Sequence, residues 1–157
     1  MNNQTTPYTL FQHAPRVTLE TVAHETILRH ADTGVYTTLD DLGQQLWSQL
    51  DGHTPLNDIA INIATSQNRK VANLITAMRH LATTPSGTHA ALHQLAEEYN
   101  VEYQFITTHL HQLGGPHGDD YATGLLSEFA VTDNEILGQI ITLAQNLAQD
   151  NWIIPVK

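Results

Sequence analysis

The stretch from residue 24 to residue 59 constrains the fold of this chain more than any other. It passes from one β-rich run, Glu25 to Ala31, through Asp32-Thr33-Gly34 into a second, Val35 to Leu39. Gly34 is the residue best able to take positive φ, so the spacing predicts a tight hairpin with glycine in the left-handed position. Either Asp40 or Asp41 then caps a helix whose Leu42, Leu46, Trp47 and Leu50 recur at helical spacing on one face. Asp51-Gly52 ends that helix, and Thr54-Pro55 begins another with Leu56, Ile59, Ala60 and Ile63 as its apolar stripe. A sheet covered by the first helix is the simplest way to bury both patterns.

Upstream, Val17 and Leu19 alternate with polar neighbours between Arg16 and Val22, which adds a third strand antiparallel to the other two. Before it, Pro7 and Pro15 bracket the short apolar piece Tyr8-Thr9-Leu10-Phe11, and an N-terminal arm is expected there that either tucks against the body or stays mobile. Downstream of residue 64, Val71, Leu74, Ile75, Met78 and Leu81 mark a helix that Pro85-Ser86-Gly87 breaks. Two more follow, on Leu92, Leu95, Ala96 and Tyr99 and on Tyr103, Ile106, Leu110 and Leu113. Gly114-Gly115-Pro116-His117-Gly118 reads as a loop, and helices from about Ala122 to Phe129 and from about Asp133 to Gln149 complete the series. Trp152-Ile153-Ile154 reads as a terminal strand that Pro155 would keep at an edge. Leu56 to Ala60 and Leu92 to Ala96 share a weak rhythm compatible with two similar helix pairs, although any amphipathic pair generates such matches.

Composition narrows the function classes. The 157 residues hold no cysteine, which removes disulfide frameworks, Cys-ligated metals and thiol catalysis. Formal net charge is −10 and the six Lys and Arg residues contain only one adjacent pair, Arg69-Lys70, so the clustered basic face of a nucleic-acid binder is missing. An acidic surface also disfavours anionic lipid. No apolar run approaches the roughly 20 residues of a membrane span, and the polar start lacks signal-peptide features, so a cytoplasmic protein is expected.

Ten histidines raise the question of a metal. His89 and His93 are four apart and can share a helix face, and His109, His111 and His117 flank the glycine-rich loop, with Glu97 or Asp119 as nearby acids. A catalytic zinc site needs three convergent ligands and an open position, and no His-Glu-x-x-His or comparable arrangement occurs. Solvated histidines are expected, with no metal and no cofactor; His24, His30 and His53 have no evident partner. The glycine-rich loop lacks the lysine and hydroxyl of a phosphate loop, Ser127 is outside any nucleophile elbow, and Glu97-Glu98 and Asp119-Asp120 read as exposed acidic helix ends. No catalytic constellation emerges, and the expectation is a protein that is not an enzyme.

The order of hairpin, Asp-rich cap, Leu-Trp helix, Asp-Gly-His-Thr-Pro turn and Trp-Ile-Ile ending resembles the pyrroloquinoline-quinone biosynthesis protein D (PqqD-like) family, which holds the leader segments of ribosomally made precursor peptides. Residues 16–64 and 125–154 carry the likeness, a little over half the chain; residues 65–120 do not match, leaving open which helix takes the family's third-helix position. The resemblance implies one α+β, winged-helix-like domain over residues 1–157: a three-stranded antiparallel sheet followed by a helical bundle, with 65–120 as a helical insertion. It also implies peptide binding by addition of a strand beside the third strand and under the third helix. The partners implied are a precursor peptide and a modifying enzyme, the radical type being used with many such proteins.

The residues suit that mode. Val35, Tyr36, Thr37, Thr38 and Leu39 form a short strand without the lysine or proline that commonly protects an edge, although Val35 and Leu39 also suit plain core positions. In the last helix, Ile136, Ile140, Leu143 and Leu147 form one stripe and Leu137, Ile141, Ala144 and Ala148 an adjacent one, an arc wider than a one-sided cover needs. Leu137, Ile140, Ile141, Leu143 and Ala144 are therefore the expected peptide contacts, unless the inserted helices cover them. Gly138 either permits a close backbone approach or is a tolerated defect. The competing reading is a winged-helix regulatory or general protein-interaction module, against whose DNA-binding form stands a last helix without Lys or Arg.

Overall fold

The computed structural model describes residues 5–83 and 89–156; the expected break at Pro85-Ser86-Gly87 and the first four residues lie outside them. Strands β1 (Phe11–His13), β2 (Val17–Val22), β3 (Glu25–His30) and β4 (Tyr36–Leu39) come first, then helices α1 (Asp41–Gln49) and α2 (Leu56–Thr83). Helices α3 (His89–Tyr99), α4 (Tyr103–Leu113), α5 (Gly118–Phe129) and α6 (Asp133–Gln149) follow, and β5 (Ile153–Pro155) ends the series. Among the described residues no helix is long and apolar enough to cross a membrane.

The expected α+β class holds: β2, β3 and β4 form a three-stranded antiparallel sheet in that order, ahead of the helices. Gly34 takes φ +73° in the β3–β4 turn, as its lack of a Cβ allows. The β2–β3 turn has Ala23 at φ 52° and His24 at φ 70°, positive values at both central residues that match the strand twist but suit Asn-Gly better. Of the two alternatives for the N-terminal arm, the structure shows the tucked one. Phe11 is buried, β1 pairs with β5 in a separate two-stranded sheet, and the Phe11 carbonyl accepts from Gly52 N–H at 2.9 Å.

Asp40 is the N-cap of α1, its Oδ1 accepting from Gly43 N–H at 2.8 Å, and Gly52 at φ +82° allows the reversal after it. The start of α2 is not satisfied by the Thr54 hydroxyl. Leu56 N–H donates to the Thr9 carbonyl at 3.3 Å and Asn57 N–H to that of Pro7 at 2.8 Å, so the N-terminal segment supplies the cap. Asp51 orders the turn between the helices: its Oδ1 accepts from the backbone N–H of His53 and Thr54, both at 2.8 Å, and its Oδ2 from the Thr54 hydroxyl at 3.1 Å. These bonds, that from His53 first, hold the Asp51 carboxyl below its ordinary value. A depressed pKa stabilises the fold above the unfolded-state value of about 3.9 and loses that contribution as pH falls through the folded-state value. Asp51→Asn is therefore expected to lower stability at pH 6 and to approach wild type at pH 3, as read by urea denaturation at the two pH values.

The chain packs as two units, residues 1–64 with 132–157 and residues 65–131, so the second unit reaches past the expected insertion boundary of 120 to Val131. The first unit buries Leu28, Leu46, Trp47, Leu56, Ile59, Ile140 and Ile153 among others. His30, expected to be partnerless, stacks on Trp152 at 4.2 Å, and His13 stacks on Trp47 at 3.6 Å. A complete capping box starts α6: Thr132 accepts from Glu135 N–H, and the Glu135 carboxylate accepts from Thr132 N–H. At its other end Asn151 takes φ 64° and Trp152 N–H bonds back to the Leu147 carbonyl at 2.9 Å, a left-handed helix stop made with asparagine. Gly138 has no heavy atom within 4 Å of where a Cβ would stand, so no close approach requires it.

The second unit has its own core of Leu74, Ile75, Met78, Leu95, Ala96, Ile106, Leu113 and Leu125. Here the expected organisation changes. The stripes ending at Ile63 and beginning at Val71 belong to one 28-residue helix, α2, because no glycine or proline interrupts Leu56–Thr83. The idea of two similar helix pairs fails with it: α3 and α4 are a pair, whereas Leu56 to Leu81 is a single helix. Helix α5 begins at Gly118, before the expected Ala122, and Leu125 places it in the second unit's core. Asn68 closes this unit: its Nδ2 donates to the Val131 carbonyl at 3.0 Å and its Oδ1 accepts from Val131 N–H at 2.8 Å, as a strand neighbour would.

Candidate functional site

The open edge of the three-stranded sheet can be read atom by atom. His30 N–H donates to the Val35 carbonyl at 2.9 Å, which sets the phase of the β3–β4 ladder. Antiparallel strands alternate between residues bonded to the neighbour and residues whose N–H and C=O point away. With Leu28 opposite Thr37 and Thr26 opposite Leu39, the residues turned toward β3 are Val35, Thr37 and Leu39. Tyr36 and Thr38 direct their backbone groups outward, where no other strand of the sheet lies among the described residues.

The expected contact residues separate by accessibility. Val35 and Tyr36 are 56% and 62% exposed, Thr38 is exposed and Thr37 half-buried, whereas Leu39 is buried. Helix α1 packs on both β4 and α6. Of the five contacts expected on α6, Ile140 and Ala144 are 0% exposed and drop out as surface contacts, and Leu137, Ile141 and Leu143, which are half-buried, remain. At about 100° per residue, Ile136, Ile140, Ala144 and Leu147 share one arc of roughly 80°. Leu143 borders that arc on one side, and Leu137, Ile141 and Ala148 border it on the other. One extended peptide cannot touch both borders.

The opposite edge differs. Along β2 the phase turns Val17, Leu19 and Thr21 outward, since Ala31 N–H donates to the Arg16 carbonyl at 2.8 Å on that side of β3. Two ion pairs mark this edge, Arg16 with Asp32 at 2.9 Å and Arg29 with Glu20 at 2.7 Å; the latter pair is close but not aligned as a hydrogen bond. Charge is a common protection of an edge strand, and β4 carries none.

The remaining candidates are dispersed. His109 Nδ1 lies 2.5 Å from the Tyr121 hydroxyl, His89 and His93 meet, and among the described residues no three His, Asp or Glu side chains converge. Asp119 pairs with Arg79. Sequence reasoning missed an apolar cleft of about 490 Å³ in the second unit, lined by Val71, Leu74, Ile75, Phe105, Leu125 and Phe129. Its only sequence signal was Phe129, an aromatic residue at a helix end, left 41% exposed.

No family model, curated protein or solved structure matches the chain. Geometry and the chemistry of named residues carry the functional reading.

Proposed function

We propose that this protein holds the leader segment of a ribosomally made precursor peptide as an added strand on β4 and presents it to a separate modifying enzyme. The observation that carries this reading is the uncharged β4 edge, without a neighbouring strand among the described residues, with the backbone groups of Tyr36 and Thr38 turned outward. Two residues offer up to four backbone hydrogen bonds. At about 1 kcal/mol net each these amount to roughly 4 kcal/mol, a dissociation constant near 1 mM before the cost of association. Main-chain pairing alone is too weak for a working complex. An apolar anchor worth about 1.5–3 kcal/mol must add to it, and Leu137 with Ile141, or Leu143, offers apolar surface for one. Chemistry on the peptide is left to the partner enzyme.

The genomic test is direct: a short leader-bearing reading frame and a modifying enzyme beside the gene support this reading, and an isolated gene counts against it. In amide NMR, titration with that leader is expected to shift or broaden Tyr36, Thr37 and Thr38 more than Val17 to Glu20. Perturbation of Gly114 and Gly115 with an unchanged β4 would rule out strand addition there.

A further inference from the structure

The first two turns of α3 bring two imidazoles together. His89 and His93, four residues apart, leave the same helix face, and their Nε2 atoms lie 2.9 Å apart. The other ring nitrogen of His89, Nδ1, is 2.7 Å from the hydroxyl of Tyr103 on α4, and the His93 ring stacks on the Tyr103 ring at 4.0 Å and 11°. Tyrosine thus fixes both rings from one side. Both histidines are exposed, so water can fill further coordination positions.

This spacing suits one coordination geometry. Two nitrogens each about 2.05 Å from one ion are about 2.9 Å apart at a right angle and about 3.3 Å apart at the tetrahedral angle. The 2.9 Å hydrogen bond of the metal-free pair already holds the two nitrogens at the separation a right-angled tetragonal site needs, so an ion can replace the bridging proton with little ring movement. With two imidazoles, water in the remaining positions and no third protein ligand among the described residues, copper(II) fits best by geometry and by its place at the top of the divalent affinity order. Zinc, with its preference for a tetrahedral set of more protein ligands, fits less well, in keeping with the absence of a zinc motif in the sequence.

We propose that His89 and His93 hold a copper(II) ion through their two Nε2 atoms. Both rings bind as neutral imidazoles with the proton on Nδ1, so the proton that bridges the two Nε2 atoms moves to the far nitrogen of its own ring. His89 Nδ1–H then donates to the Tyr103 oxygen, the outer hydrogen bond that orients a metal-bound histidine. Two waters leave the aqua ion, and no redox step is involved.

The test uses the full chain with one equivalent of copper(II) at neutral pH, read by electron paramagnetic resonance and by competition with a chelator of known affinity. An axial spectrum with splitting from two imidazole nitrogens is expected. His89→Ala and His93→Ala should each weaken binding at least about tenfold, and Tyr103→Phe should weaken it about tenfold while keeping the two-nitrogen spectrum. His111→Ala should change nothing. If alanine disturbs α3 by circular dichroism, His93→Gln gives the same reading with helix propensity kept. Affinity within twofold of wild type in a folded His93 variant overturns the site. So does a one-nitrogen spectrum, or loss of binding in His111→Ala.

Discussion

Gly118→Ala is expected to unfold the second unit well below the melting temperature of the wild-type chain. An alanine Cβ at this position would stand 2.3 Å from the Leu113 carbonyl oxygen, a backbone atom at the buried end of α4. Neither side can yield cheaply. Gly118 is buried as the first residue of α5, and the four residues between the helices leave no slack. The cost is expected to be at least about 3 kcal/mol, the upper end of overpacking. At about 4–8 °C per kcal/mol for a unit of this size, thermal circular dichroism should show a drop of more than about 10 °C. Gly124→Ala is the control within the same helix: its Cβ would meet nothing within 4 Å, and a gain of about 0.5–1 kcal/mol is expected. A Gly118→Ala chain melting within about 2 °C of wild type would show that the α4–α5 turn can relax in a way this geometry does not allow.

The contrast between these glycines illustrates what residue patterns reveal. Glycine at 118 reads as one more loop residue in Gly114-Gly115-Pro116-His117-Gly118, because its constraint comes from a carbonyl that only the folded turn brings near. Gly34 and Asp40 were legible, since a positive φ and a cap bond are requirements of the local backbone. Long-range pairing was not: β1 finds β5 from the far end of the chain, and His30 meets Trp152, without any periodicity that records it. Helix α2 shows a different limit. Its two apolar stripes report burial, whereas its continuity follows from the lack of any residue able to break it. At the candidate site, the uncharged edge was readable because hairpins dictate strand order. The accessibility of α6 was not, because an apolar residue on a border of the buried arc looks the same in sequence as one inside it.

Thr38→Pro is expected to remove peptide binding while sparing the sheet, and it separates the strand-addition mechanism from a side-chain-only contact. The Thr38 N–H points away from β3, so proline there deletes a donor that the ladder does not use. The bonds of Thr37 and Leu39 to β3 remain, and proline is tolerated on an edge in this orientation. An incoming leader would lose one main-chain hydrogen bond, worth about 0.5–1.5 kcal/mol, and would meet the pyrrolidine ring where it must approach. Affinity should fall at least tenfold, about 1.4 kcal/mol. Thr37→Pro, one residue away, removes an inward N–H and is expected to disrupt the β3–β4 pairing itself. Calorimetric titration of each folded variant with the leader peptide, alongside its melting temperature, reads both effects. Native stability with unchanged affinity in Thr38→Pro would place the peptide elsewhere. Leu19→Pro, which removes an outward N–H on β2, would then ask the same question of the opposite edge.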